Sequence, residues 1–419
     1  MKRRILVALI LVLSVSLSVT IYYSLSNRDD ESKLDTLTPQ LMEKYGVPGT
    51  AVSLVQDGEV AWLEGYGLAD RDRGVPVTAD TVFQVASISK AVTSWGVMRL
   101  VESGRLELDA PVEQYLTRWH LPPSSYDASG VTIRRLLTHS AGLSVGGYPG
   151  LDPGTQLPSL EESLSGNNGG AGEVSIIMEP GAQFSYSGGG YTLLQLIVEE
   201  VTGETFSAYM QREVLDPLGM VHSSFDWRDD LRPATAMAYS ENGTLLPNYL
   251  FTEQAAAGLY TTASDLARFV AAEMPGRSGE PAGRGVLSQD TLALMFTPAV
   301  EINENLLFKL QRGLGQEIQT LPDGSQLIQH AGGNRGWNSF LMANPGKAMG
   351  VVILTNSDNG RALCLDAMTQ LVIPIYIGMI TRILIPVLTL GIAICAIFLF
   401  KGSISSRQPS HRSQETRAL

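Results

Sequence analysis

Cysteine is scarce: this chain of 419 residues has two, Cys364 and Cys395. Cys395 falls in an apolar run suited to a membrane, which argues against a disulfide between them. Histidine is scarce as well. None of the five stands in a His-x-His or His-Glu-x-x-His spacing, so neither a metal site nor any other cofactor is expected. Positive charge is in deficit, with 30 Lys and Arg against 42 Asp and Glu and a net charge of −12. No basic stripe offsets it, and the balance argues against nucleic acid as a partner. Glycine (42) and proline (21) are plentiful and suit a loop-rich protein of mixed helices and strands. The length allows two or three domains and a large core.

The long apolar runs lie at the two ends. Lys2, Arg3 and Arg4 precede an unbroken run from Ile5 to Leu25, long enough to cross a bilayer. Residues 1–27 therefore read as an uncleaved anchor or a signal peptide. Ser24 and Ser26 make a poor cleavage site, and no lipobox-type cysteine is present. A second run, 383–400, is followed by Lys401 and a basic tail, 401–419, with Arg407, Arg412 and Arg417. Basic residues on the outer side of both runs fit the positive-inside rule. With the first segment uncleaved, both termini are cytoplasmic and residues 33–370 face outward from the cell membrane. Leu371 to Met379 is a further apolar stretch, read as either the end of a domain helix or an interfacial segment.

The chain between these ends is organised around Phe83 to Lys90. Ser87 and Lys90 are three apart, which on a helix places them on one face, one turn apart. A serine hydroxyl needs a neighbour to take its proton, and a desolvated lysine can serve. The start of a helix also favours developing negative charge. From Ile88 to Glu102 apolar residues recur at three and four, and Lys90 lies on the next face round, positioned to line a cleft. Tyr186 precedes a glycine run, Gly188 to Gly190, that leads into a helix; its hydroxyl either lines a cleft or is a satisfied core group.

Two other patterns are read as structural. Gly142-Leu143-Ser144-Val145-Gly146 matches G-x-S-x-G, but a helical pattern precedes it and a Gly/Pro loop follows, the wrong setting for a nucleophile elbow. His139 reads as a loop-packing residue. The remaining pattern predicts a helix over 34–45, and strands over 51–55 and 60–63 joined at Asp57-Gly58. Helices follow over 88–102, 133–138, 193–202, 206–215, 266–274 and 288–296. Strands are predicted over 313–321, 326–330, 338–343 and 349–355, then a helix over 361–370. The fold class is α+β: an antiparallel sheet flanked by terminal helices, a mainly helical lobe over about 88–300, and Ser87 at the seam.

Ser87-Ile88-Ser89-Lys90, Tyr186-Ser187-Gly188 and His330-Ala331-Gly332 occur in this order with wide spacing. They resemble the three motifs of the serine β-lactamase and penicillin-binding-protein superfamily, in its class C-like branch of related esterases and peptidases. Leu136 to Leu143, Asp216 to Met220 and Ala257-Gly258-Leu259 match as well, so the resemblance covers residues 33–370. It implies nucleophilic attack by Ser87, proton transfer shared by Lys90 and Tyr186, and an oxyanion hole from the Ser87 and Gly333 N–H groups. Gly332 and Gly333 would let substrate lie against a strand edge. Two positions depart from the pattern. Gly188 stands where Asn is usual, and His330 stands where penicillin-recognising members have Lys; both lean away from β-lactam turnover. Arg335 is a nearby source of charge.

The expectation is a membrane-anchored, extracytoplasmic serine hydrolase cleaving an ester or amide through an acyl-Ser87 intermediate, acting on a small molecule or peptide. The alternatives are a D-amino-acid peptidase or carboxypeptidase on cell-wall peptides, or a catalytically weak, membrane-tethered binding module.

Overall fold

The computed structural model describes residues 30–371 apart from 306, 307 and 322. The expected membrane segments, 1–27 and 383–400, and the tail 401–419 lie outside these residues. No helix among the described residues is long and apolar enough to cross a membrane. The region between these ends forms one compact unit, Glu31–Thr369.

Helix α1 (Asp30–Tyr45) leads into β1 (Gly49–Gln56) and β2 (Glu59–Asp70), joined at Asp57 and Gly58, both at positive φ as a tight hairpin requires. β3 (Val75–Pro76) and β4 (Phe83–Gln84) follow, then α2 (Ile88–Glu102). The helical lobe contains α3 (Ile133–Leu137), α4 (Leu160–Leu164), α5 (Gly188–Thr202) and α6 (Phe206–Met210), with the small hairpin β5 (Ala238–Tyr239) and β6 (Leu245–Leu246). Then come α7 (Gln254–Ala257), β7 (Tyr260–Thr261), α8 (Ala263–Ala272) and α9 (Gln289–Met295). Six strands close the sheet: β8 (Val300–Asn305), β9 (Phe308–Arg312), β10 (Glu317–Thr320), β11 (Gln326–Asn334), β12 (Trp337–Asn344) and β13 (Met349–Thr355). Residues 360–371 are helical.

Among the described residues, nine strands form one antiparallel sheet in the order β3-β2-β1-β13-β12-β11-β10-β9-β8. Its first and last parts in sequence meet where β1 pairs with β13, Thr50 opposite Thr355. Side chains alternate between faces. Ala51 and Val55 belong to the main core with Phe269 and Val270 of α8, and Ser53 Oγ donates to Ala263 O (2.8 Å). The opposite face carries Val52 and Leu54, also buried. Tyr66 pairs with Thr50 and so shares that face, where its hydroxyl meets Asp35 of α1 at 2.7 Å. Lys44 and Tyr45 of α1 both reach Asp366, at 2.7 and 2.9 Å, tying the terminal helices together.

Several elements differ from the sequence reading. β8 and β9 were not expected: polar residues such as Glu301, Asn303 and Gln311 mask the apolar alternation. The strand expected over 313–321 is only Glu317–Thr320, because Gly313 to Gly315 form a turn against Met295. The helix expected over 206–215 widens midway, with Gln211–Leu215 in a π turn.

Candidate active site

Strand β4 delivers the chain to Val85, and Ala86 then takes φ +49°, a left-handed conformation that costs a residue with a Cβ about 1–2 kcal/mol. The bend is clamped. Ser89 Oγ donates to Ala86 O (2.6 Å) and accepts the Leu259 N–H (2.9 Å), while Val85 O accepts from Ser339 Oγ (2.9 Å). Ser87 therefore caps α2 by position alone. Its hydroxyl makes no capping bond and points at chemistry instead.

Lys90 is 2 % exposed. Its Nζ lies 2.6 Å from Ala256 O and 3.2 Å from Ser87 Oγ. Burial depresses the ammonium pKa, the Arg312 charge adds to this, and Tyr186 opposes it. Tyr186 places its Oη 2.9 Å from Ser87 Oγ, with Lys90 Nζ 5.1 Å from its ring centre. Burial disfavours its phenolate, but Lys90, the bond to Ser87 and Arg312 together outweigh burial and hold it below the usual tyrosine value.

Tyr186 is positioned from behind. Ser187 caps α5, accepting the Gly190 N–H (2.9 Å) and donating to Ser144 O (2.7 Å). Ser144 Oγ is itself bonded to Glu173 O (2.7 Å), so the G-x-S-x-G segment is a brace for α5 and Ser144 is remote from nucleophilic duty. His139 is buried at φ +54°, with its ring 4.3 Å from that of Tyr186 and its Nδ1 accepting the Ser187 N–H (3.2 Å). Burial, then the charges of Arg312 and Lys90, keep it neutral.

Gly188 is the first residue of α5. A Cβ there would sit 3.2 Å from Gly146 O and 3.3 Å from Tyr148 Cε2. The Tyr148 ring, held by a 2.8 Å bond to Thr192 Oγ1, takes the room an asparagine side chain would need.

The third motif lies on β11. Beyond Gln329, β10 no longer pairs with it, so over residues 330–334 only β12 does and one edge is open. Gly333 is exposed on this stretch, and a Cβ would meet only Asn338 Oδ1, at 3.4 Å. Gly332 is buried, and its missing side chain serves a different purpose from the one expected: a Cβ would overlap the Val85 carbonyl and the Ser339 hydroxyl. His330 is 2 % exposed, with Nδ1 2.8 Å from Ala331 O and Nε2 3.1 Å from Arg312 Nη2. Both ring nitrogens are taken by protein groups. Arg335 is exposed and stacks over Tyr249, 4.4 Å from its ring centre. Asn334 links this end of β11 to Gln84 (3.0 Å) and Ala257 (3.3 Å). Among the described residues no cluster of His, Cys, Asp or Glu could hold a metal.

Sequence reasoning missed Ala86, Arg312 and the Tyr148 filling. Ala86 and Arg312 carry no motif, and Tyr148 is one aromatic in a Gly/Pro loop.

The family described as Beta-lactamase matches residues 34–373. Protein flp of Staphylococcus aureus (strain MRSA252) is 25% identical over 339 residues, which is 78% of this chain and 63% of that protein. The alignment thus spans less than two thirds of this curated relative. The octameric penicillin-binding protein homologue from Pyrococcus abyssi superposes with a TM-score of 0.69 and 28% identity, covering 82% of this chain and 77% of that one. A class C beta-lactamase shares the fold at a TM-score of 0.65 and 24% identity, covering 82% and 97%.

Proposed function

The chain belongs to the beta-lactamase family and is a serine hydrolase, and from that premise we propose that it cleaves an ester or amide through an acyl-Ser87 intermediate at the outer face of a membrane. One observation carries the reading: Ser87 Oγ lies within hydrogen-bond reach of both Tyr186 Oη (2.9 Å) and Lys90 Nζ (3.2 Å). The Ser87 oxygen attacks the carbonyl carbon while its proton passes to the Tyr186–Lys90 pair. The Ser87 and Gly333 N–H groups receive the oxyanion. The pair returns the proton to the leaving group as its bond to carbon breaks. Water, deprotonated by the same pair, then releases the acid and frees Ser87.

The substrate class follows from what surrounds this trio. Tyr148 stands over Gly188, and His330 faces Arg312, so neither the amide nor the lysine that favours penicillins is present. A second reading keeps the chemistry and makes the substrate a D-amino-acid peptide of the cell wall. The open edge of β11 over 330–334 favours it, since an extended peptide can add there as a strand. Anchoring rests on the apolar runs 5–25 and 383–400 with their flanking basic residues. Retention of the full-length protein in carbonate-washed membranes is the expected result, and release into the wash would refute it.

The test of the chemistry is intact-mass labelling of the full-length protein and its Ser87→Ala variant, with a fluorophosphonate and, separately, a penicillin. A Ser87-dependent fluorophosphonate adduct without a penicillin adduct supports the esterase or amidase. A stable penicillin adduct moves the reading to the cell-wall peptidase. No adduct in folded protein would leave the tethered binding module.

A further inference from the structure

Arg312, the last residue of β9, is fully buried. Its Nη2 donates to Gly315 O (2.9 Å) and to His330 Nε2 (3.1 Å). Its Nε and Nη1 make no hydrogen bond among the described residues. The carboxylate that faces it, Glu317 on β10, stays 3.8 Å from Nη1 and is 29% exposed. A guanidinium taken out of water without a close anion is expensive, and a core could carry an apolar residue there instead. The other titratable groups around it are His330 on β11, Lys90 on α2, His139 after α3, and Tyr186 and Tyr191 at α5. Apart from Glu317, none of these brings a resting negative charge except Tyr186 when it ionises.

We propose that Arg312 is a positioning residue of the hydrolase: a permanent buried charge that locks His330 as its Nδ1–H tautomer and favours the deprotonated, base-competent state of the Lys90–Tyr186 pair. The inference rests on the acyl-Ser87 reading. The tautomer follows from the partners. Ala331 O can only accept, so His330 Nδ1 carries the proton; Arg312 can only donate, so Nε2 presents a lone pair. A proton on Nε2 would collide with the guanidinium, and His330 stays neutral. The position where penicillin-recognising relatives carry a lysine thus holds a neutral ring, and the cation sits one layer behind it. From there the charge repels a proton on Lys90 and attracts a phenolate on Tyr186. Both effects have one sign: each makes the pair give up its proton at lower pH. Arginine suits this task because it does not deprotonate when buried, as lysine does.

The test is the pH dependence of Ser87 acylation by a fluorophosphonate in the full-length protein, read as a rate constant between about pH 5 and pH 10. Arg312→Gln, confirmed as folded by circular dichroism, is expected to move the acid limb upward by on the order of one pH unit. Arg312→Lys, whose buried ammonium gives up its proton more readily than a guanidinium, moves the limb upward by less than Arg312→Gln does. Glu317→Gln removes the one carboxylate that faces the guanidinium among the described residues and moves the limb downward. A structural role predicts a uniform loss of rate with the limb in place, and that result in Arg312→Gln would overturn the inference. Should Arg312→Gln not fold, Glu317→Gln decides: an unmoved limb overturns it, a downward shift upholds it. Wild-type protein that fails to label at Ser87 would bring down the hydrolase reading itself, which the variants' limb positions cannot mimic.

Discussion

The His139 ring lies 4.3 Å from the Tyr186 ring, tilted by 36°, while its Nδ1 accepts the N–H of the next residue, Ser187. One buried histidine therefore sets both the ring plane of Tyr186 and the backbone that carries it. His139→Ala removes an aromatic contact worth about 0.5–1.5 kcal/mol and orphans a buried N–H at about 1–3 kcal/mol. A stability loss on the order of 2–4 kcal/mol is expected, read from a urea midpoint. With Tyr186 free to tilt away from Ser87, kcat on p-nitrophenyl butyrate should fall on the order of 100-fold with KM little changed. An unchanged kcat in folded protein would show that Tyr186 needs no support from His139.

How this site could be seen in the sequence depends on how each residue is tied to its partner. Ser87 and Lys90 are one helical turn apart, and the cap-and-glycine pattern at Ser187 to Gly190 marks the entrance that presents Tyr186. Those relations are local and survive as spacing. The sheet's central pairings were legible for the same reason, since Asp57-Gly58 and the alternating runs near the C-terminus encode them. Arg312 meets His330 only because β9, β10 and β11 fold back on one another, and nothing near residue 312 announces that. His139 looked like a loop residue because it is one; its importance comes from Tyr186 arriving from 47 positions further on.

The two motif glycines should respond differently to one methyl group. Gly332→Ala drives a Cβ into the Val85 carbonyl, which accepts the Ile88 N–H at the bend presenting Ser87. It should lower stability by about 1–3 kcal/mol and cut fluorophosphonate labelling of whatever folds. Gly333→Ala meets only Asn338 Oδ1 at 3.4 Å, so the fold and the labelling by a small phosphonate survive while KM for bulkier esters rises. Equal behaviour of the two variants in thermal unfolding would contradict this division.

Glu273, 2 % exposed at the end of α8, gives the fold a pH signature separate from catalysis. Burial pushes its carboxyl up to about 8 from an ordinary 4.5, with Gln316 working against the rise. The folded chain then holds a proton that the unfolded chain releases above about pH 4.5. Stability consequently falls by about 1.4 kcal/mol per pH unit between these values and levels off above about pH 8. His139 and His330 act in a lower window. Held neutral by burial, they are less basic than in the unfolded chain, so their contribution is lost as pH falls below about 6.5. Glu273→Gln removes only the first effect. Its stability relative to wild type should grow steadily from about pH 5 to pH 8; a constant offset in urea midpoints would refute the assignment.

Tyr148 and Gly188 together make the most direct test of substrate choice. An asparagine at 188 has to place its Cβ 3.2 Å from Gly146 O and its amide where the Tyr148 ring already lies. That ring is fixed by Thr192 and packs against the Tyr249, Phe251 and Ala257 cluster, so it does not yield freely. Gly188→Asn alone should therefore cost about 1–3 kcal/mol in stability and lower ester turnover, without conferring penicillin acylation. Tyr148→Ala alone opens space but supplies no hydrogen-bonding group. Only the pair sets an amide beside Tyr186 with room to receive a penicillin side chain. The second-order rate of acylation by a fluorescent penicillin should rise at least tenfold in the double variant over Tyr148→Ala. Equal rates in those two proteins would mean that Tyr148 does not hold the site against β-lactams, and that the neutral His330 alone accounts for the choice.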